Sequence, residues 1–91
     1  MGWFCVHEAS VAMRILDAVE GYGGLKAVFV TIGRQSCVHP DMLRAAFDAV
    51  KHGTPADCCE LVAMDCPGED IRVISIEVEN ANYRYKQKHI R

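Results

Sequence analysis

The sequence predicts an α+β fold with the element order α-β-α-β-β, in which two helices pack on one face of a three-stranded sheet. Two segments repeat apolar residues at helical spacing, a run of β-branched residues lies between them, and two alternating segments follow. Placing both helices on one side of a sheet is the simplest way to bury both apolar stripes. With 91 residues, the chain is predicted to form a single domain, because so short a chain buries too little surface for two cores.

The first helix is predicted from His7 to about Gly21. Glu8 lies close to its start, where the helix dipole stabilises a negative charge. A cluster of glycines follows and predicts the end of the helix. The apolar residues recur at spacings of three and four and form one face: Ala9, Ala12, Met13, Leu16 and Val19.

The next two elements are a strand and a second helix. The strand is predicted from Lys26 to Ile32, a β-branched run that is mostly apolar on both faces, as a central strand would be. The second helix is predicted from Pro40 to about Lys51, because proline suits a first helical turn and Gly53 follows the end. Its apolar stripe consists of Leu43, Ala46, Phe47 and Val50.

Two further strands complete the predicted sheet. Residues 58–65 and 71–79 alternate between apolar and polar positions. Because only a short turn at Pro67-Gly68 connects them, we predict that they form an antiparallel hairpin. The residues predicted to face the helices are Leu61, Ala63, Ile74, Ile76 and Val78.

The opposite face of the sheet is predicted to be open and partly apolar, with Phe29, Val62 and Met64 on it. Apolar area left in water is costly, at ~25 cal/mol per Å², and a symmetric dimer is the commonest way to bury it. Acidic residues near this face would repel their own copies across such a dimer. The dimer therefore needs a cation, such as Arg72 or one of the C-terminal segment, to pair with them. We therefore predict a homodimer through this open face.

Charge is unevenly distributed along the chain, whose net charge is −2. Residues 1–80 hold twelve acids against six Lys and Arg. This acidic body argues against a nucleic-acid-binding face. The last eleven residues are predicted to be a frayed, solvated tail, able to touch an acidic partner or RNA. They hold no acid and four cations: Arg84, Lys86, Lys88 and Arg91.

The cysteine pattern bears on the cellular compartment. The five cysteines are odd in number and two are adjacent: Cys5, Cys37, Cys58, Cys59 and Cys66. The first ten residues lack the basic start of an export signal, and no apolar run approaches the roughly 18–20 residues of a membrane span. We therefore expect a cytoplasmic protein with reduced thiols. No C-x-x-C pair occurs, so we expect no structural zinc.

Three segments match a known family in the same order. They are V-H-E-A-S-V-A from Val6, V-T-I-G-R-Q-S-C-V-H-P-D-M-L-R-A-A-F from Val30, and I-R-V-I-S-I-E-V-E from Ile71. Together they resemble the HypA-type hydrogenase nickel-incorporation proteins (the HypA/HybF family) over about Val6 to Glu79. Family members carry a four-cysteine zinc ribbon between their last two strands, where this chain has only a short turn. The chain therefore resembles the nickel-binding core without its zinc module.

The resemblance implies a nickel metallochaperone or accessory protein for the maturation of a hydrogenase, acting by transient Ni(II) binding and protein contacts. The implied partners are a nickel GTPase and the precursor of the hydrogenase large subunit. By resemblance, His7 supplies an imidazole ligand, and Glu8 contributes through its backbone or beside the ligands. A free α-amine, backbone nitrogens and this imidazole would surround Ni(II) in a square plane.

The N-terminus departs from the family pattern, because His7 is the seventh residue here. Two explanations stay open. Translation from a GTG codon at Val6, read as Met, would restore a free amine beside His7. Otherwise the thiolate of Cys5, two residues before His7, replaces the amine as a substitute ligand.

Other chemistry has little support in the sequence. A Gly-rich phosphate loop, a nucleophile elbow and an H-E-x-x-H motif are all missing, so we do not expect an enzyme. His39 is predicted in a solvated loop, and His52 at the end of the second helix, where an imidazolium suits the helix dipole. Cys59 is predicted in the core with Cys58 outward, because neighbours on a strand face opposite ways. An alternative function is a protein-interaction or scaffold module that retains the fold and has lost metal transport.

Overall fold

The fold was determined as a computed structural model that describes residues 6–19, 21–79 and 81–90. Its elements are α1 (Val6–Val19), β1 (Leu25–Gly33), α2 (Pro40–Val50), β2 (Glu60–Cys66), β3 (Ile71–Val78) and β4 (Ala81–His89). The predicted α+β class and the order of the first five elements are confirmed, whereas β4 was not predicted. Neither described helix has the length and apolar character needed to cross a membrane.

The sheet has the strand order β2-β1-β3-β4, so β1 lies between β2 and β3. β1 pairs with β2 in parallel and with β3 antiparallel. The predicted hairpin between β2 and β3 is therefore wrong, because these strands are not neighbours. A parallel pair needs a crossover connection, and α2 provides it between β1 and β2. The hairpin lies one strand later, between β3 and β4.

The segment between β2 and β3 crosses the end of β1 instead of folding back as a tight turn. Strands two positions apart lie roughly 10 Å from each other, a distance that a few extended residues span easily. A Cβ at Gly33 would collide with the carbonyl group of Gly68, so only glycine fits at the crossing. Three backbone hydrogen bonds tie the crossing to β1 and the residues after it: Gly33 N–H to Asp70 O (2.8 Å), Arg34 N–H to Cys66 O (2.9 Å) and Gln35 N–H to Gly68 O (2.9 Å).

One face of the sheet is buried under both helices, as predicted. On β1 the buried positions alternate through Val28, Val30 and Ile32. Leu61 and Ala63 continue this face on β2, in register with Val28 and Val30. Both helices contribute to the same core through residues that include Ile15, Val19, Leu43 and Phe47.

The alternation of β3 is interrupted in the middle of the strand. Val73 and Ile76 are both buried in the core, although they are three residues apart. The pairing with β1 shifts register between them, which resets the side-chain alternation. Ile74 is only partly buried as a result, so the prediction that it faces the helices is wrong. Val78 and Ile76 do face the core, as predicted.

The basic C-terminal segment forms a strand, so the prediction of a frayed tail is wrong. β4 pairs with β3 through residues 81–84 and 88–89, with a register shift between these two segments. The residue that follows β4, Ile90, is 6% exposed and belongs to the core. Its N–H donates to the carbonyl of Ile71 (2.7 Å), and its carbonyl accepts from the guanidinium of Arg14 on α1 (2.9 Å). A single apolar residue after a charged segment has no periodicity, which is why the sequence pattern missed it.

We expect Gly33→Ala to lower the free energy of unfolding by about 1–3 kcal/mol, because the added methyl group overlaps the backbone of the crossing segment. Gly23→Ala is the matched control, since a Cβ there meets nothing within 4 Å. Urea denaturation of both variants measures the difference. Equal stability of the two would show that the crossing does not constrain Gly33.

Candidate functional site

Two of the residues matched to a metal site by resemblance lie in the first turn of α1. The helix begins at Val6, so His7 and Glu8 follow at once. The first four N–H groups of an α-helix have no acceptor within the helix. The amide nitrogens of His7 and Glu8 are therefore not needed for helical hydrogen bonding. Cys5, the predicted substitute ligand, lies outside the described residues.

Glu8 connects the start of α1 to the start of α2. It is 3% exposed, and its Oε2 accepts a hydrogen bond from the backbone N–H of His39 at 3.2 Å. His39 is the N-cap residue of α2, and its own side chain makes no capping hydrogen bond. In a capping box, a glutamate at the third helical position would accept from this N–H, but that position is Met42. Glu8 supplies the missing carboxylate from the other helix.

The second carboxylate oxygen of Glu8, Oε1, is buried as well. Within the part of the chain that the structure describes, Oε1 has no hydrogen-bond partner. A buried acceptor left in this state costs about 1–3 kcal/mol, and such groups usually bind a proton donor, a water or an ion. A cation or a donor beside the first turn of α1 would therefore be stabilised by Oε1.

The loop between β1 and α2 holds the backbone of His39 against Glu8. Val38 is buried in the core, and its N–H donates to the Oγ of Ser36 at 3.3 Å. Cys37 adopts a φ of 66°, in the left-handed region that L-residues other than glycine rarely use. These contacts fix the chain immediately before His39.

The sequence predicts His39 in a solvated loop and gives no contact between His39 and Glu8. Its side chain is exposed, as predicted, while its backbone N–H is bonded to a buried carboxylate. One sequence signal indicates this contact. The third helical position of α2 is Met42, which cannot accept from the N–H of His39 as the glutamate of a capping box would, so this N–H needs an acceptor from elsewhere.

Among the described side chains, the other thiols and imidazoles do not come together as a metal site. Cys59 is buried and Cys58 exposed, as predicted. Burial raises the pKa of the Cys59 thiol to about 11, although the charge of Lys51 partly opposes this. His52 is exposed and lies 3.7 Å from a carboxylate oxygen of Asp57. Over the described residues, no three His, Cys, Asp or Glu side chains are grouped closely enough to hold a metal ion.

Comparisons with known proteins point to one family. The hydrogenase maturation factor HypA of Chlorobaculum parvum is 36% identical over 67 residues, which cover 67% of this chain and 59% of that protein. The factor of the same name from Chlorobium limicola is 40% identical over 62 residues, covering 62% and 53%. That of Ignicoccus hospitalis is 41% identical over 64 residues, covering 62% and 46%. The chain thus spans about half the length of these relatives.

A family model described as "Hydrogenase/urease nickel incorporation, metallochaperone, hypA" matches residues 6–78. The match begins at the first residue of α1 and ends at the last residue of β3. It therefore covers both helices, three of the four strands and the contact between Glu8 and His39. The chain belongs to the HypA family of hydrogenase and urease nickel-incorporation metallochaperones.

Proposed function

We propose that this chain carries Ni(II) as its cargo at the start of α1 and takes part in the maturation of a nickel hydrogenase. The observation that supports this most directly is the environment of Glu8. One carboxylate oxygen anchors the first turn of α1 to α2, and the other is buried without a partner among the described residues. A negative group of this kind stabilises a cation bound at the adjacent His7.

The ligands would come mainly from the backbone. In a chain that starts at position 6, the α-amine, the amide nitrogens of His7 and Glu8, and the His7 imidazole provide four nitrogen donors. Ni(II) accepts such a set in a square plane. Binding displaces the protons of the two amides, which costs no helical hydrogen bond because both lie in the first turn. The family model matches the chain from residue 6 onward, so it includes His7 and Glu8.

The two explanations for the N-terminus differ in whether the first five residues are part of the functional chain. If the chain functions from Met1, the amine is remote from His7, and the Cys5 thiolate is the proposed substitute ligand. Thiolate ligands suit soft metal ions, and imidazole suits nickel. Either ligand set holds the cargo at the first turn of α1, so Glu8 has the same supporting role in both.

The proposed partners are a nickel GTPase and the precursor of the hydrogenase large subunit, within the cytoplasm, and the proposed action is delivery of nickel rather than catalysis. The alternative is an interaction or scaffold module that has lost metal transport. Nickel binding separates these two proposals, because only the first requires it.

We expect Ni(II) affinity to depend on the start of the chain. A version starting with Met at position 6 should form a yellow, diamagnetic complex, because four nitrogen donors then lie next to one another. His7→Ala should weaken binding by at least roughly tenfold. His52→Ala is the matched control and should leave binding unchanged, since His52 is an exposed histidine at the end of α2. Calorimetry and visible absorption measure both effects.

The full chain from Met1 distinguishes the remaining possibilities. Nickel binding that is lost in Cys5→Ser would identify the thiolate as the substitute ligand. Equal affinity in both versions, unchanged by His7→Ala and Cys5→Ser, would refute the site. The absence of nickel binding in every version would favour the scaffold alternative.

We also propose that the chain folds without structural zinc. Zinc contributes folding free energy only where about four good ligands converge. We expect elemental analysis to find no stoichiometric zinc in the purified protein, and a strong chelator to leave the midpoint of thermal unfolding unchanged. One tightly held zinc per chain, with unfolding on chelation, would contradict this.

A homodimer through the open face of the sheet remains our proposal for the oligomeric state. Phe29 and Val62 are opposite each other in the β1–β2 register, on the face away from the helices, and both are partly exposed. Met64 follows on the same face and is 37% exposed. Arg72, from β3, is bonded to Asp70 at 2.8 Å and supplies a positive group beside this face. A symmetric dimer would remove the apolar part of the face from water.

We expect the wild type to sediment as a dimer at micromolar concentrations and the double variant Val62→Lys, Met64→Lys to sediment as a monomer. The two lysines place like charges opposite each other across the interface. Met42→Lys is the control, because Met42 is an exposed methionine on α2, outside the sheet. A monomeric wild type would refute the dimer.

A further inference from the structure

Among the described strands, β4 has one edge without a neighbour, and its sequence is rich in cations. Among the described strands, β4 pairs only with β3, so its outer side has no neighbouring strand within this fold. Unpaired N–H and C=O groups along a strand edge are a template for another extended chain. The nine residues of β4 contain Arg84, Lys86, Lys88 and no acid. This edge therefore combines free backbone groups with a local excess of cations.

The position of β4 is fixed by the residue that follows it. Ile90 is buried, its N–H is bonded to the carbonyl of Ile71, and its carbonyl is bonded to Arg14 of α1. The strand is thus held at one end by the turn after β3 and at the other end by the core. An edge that is ordered in advance loses less conformational entropy when a second chain adds to it.

We propose that the outer edge of β4 binds an extended acidic segment of a partner protein, which adds to the sheet as a fifth strand. In this mode of recognition the backbone hydrogen bonds supply affinity, and the side chains supply specificity. The specificity here would come from carboxylates that complement Arg84, Lys86 and Lys88. The proposal concerns a surface distinct from the start of α1 and does not depend on nickel binding.

A second copy of the chain is a poor occupant of this edge. Two β4 strands side by side would bring cations against cations. An acidic partner strand is attracted by the same charges that repel another β4.

Nucleic acid is also a poor occupant of the β4 edge. Residues 1–80 hold twelve acids against six Lys and Arg, so the body of the protein repels a long polyanion. An RNA backbone also has no N–H groups with which to satisfy the carbonyl oxygens of a strand edge. A short acidic peptide meets both conditions, because it carries few charges and a complete set of backbone donors and acceptors.

The test is the binding of a fluorescent peptide in which glutamate alternates with valine to the full-length chain, measured by anisotropy. We expect saturable binding of this peptide. Replacement of every glutamate by glutamine should weaken binding by at least roughly tenfold. Two further peptides carry N-methyl groups on alternate residues, each blocking the N–H donors of one edge. Binding should be lost for one of these two and retained for the other, because only one edge of the added strand faces β4.

The matched protein variants separate the β4 edge from the overall charge. Arg84→Glu, Lys86→Glu, Lys88→Glu should weaken peptide binding by at least roughly tenfold. Lys26→Glu, Arg34→Glu, Arg44→Glu changes the net charge equally at exposed positions outside β4 and should bind nearly as well as the wild type. Circular dichroism verifies that both variants are folded.

The proposal would be overturned if the acidic peptide did not bind, or if both triple variants weakened its binding equally. It would also be overturned if the two methylated peptides bound equally well. A single-stranded RNA that binds more tightly than the peptide would indicate a polyanion surface instead. Self-association of the protein into larger oligomers that is lost when the β4 cations are replaced would indicate that β4 pairs with the acidic β2 edge of a second copy.

Discussion

The central position of β1 is the constraint on which the rest of the structure depends. Both faces of this strand are mostly apolar, and the residues on the face toward the helices, Val28, Val30 and Ile32, are almost completely buried. Such a strand is stable at the centre of a sheet, with a paired strand at each edge and helices packed on one face. Parallel pairing with β2 makes α2 a crossover helix, and antiparallel pairing with β3 makes the chain cross the end of β1. The lack of a side chain at Gly33 permits that crossing.

The candidate site results from this arrangement rather than from a local motif. The crossover brings the start of α2 beside the start of α1, and the buried carboxylate of Glu8 joins them through the N–H of His39. A carboxylate near two helix N-termini is favoured by both dipoles. The first turn of α1, which holds His7, is thereby anchored to the body of the protein, while the other oxygen of Glu8 has no partner among the described residues.

α1 connects the two surfaces to which we assign functions. At its start, Glu8 contacts the loop before α2, and one to two turns later Arg14 bonds to the carbonyl of Ile90, after β4. The proposed cargo site and the proposed edge for an acidic segment are therefore both attached to the same helix. The separation of charge supports this division, because the carboxylate of Glu8 would favour a cation at the helix start and the cations of β4 would favour an acidic chain at the sheet edge.

The sequence by itself determined the first five elements and the family. Helical spacing gave α1 and α2, alternation gave Leu61 and Ala63 inward and Val62 outward, and the ordered motifs from Val6 identified a HypA-type core. Only the tertiary structure decided which strands are neighbours, where β3 changes face, and how Ile90 anchors the last strand. It also decided that Glu8 bonds to His39. Periodicity reports which side of an element is apolar, because burial repeats with the geometry of that element. It carries no information on the partner that lies opposite, since that depends on hydrogen bonds and space between residues far apart in the chain.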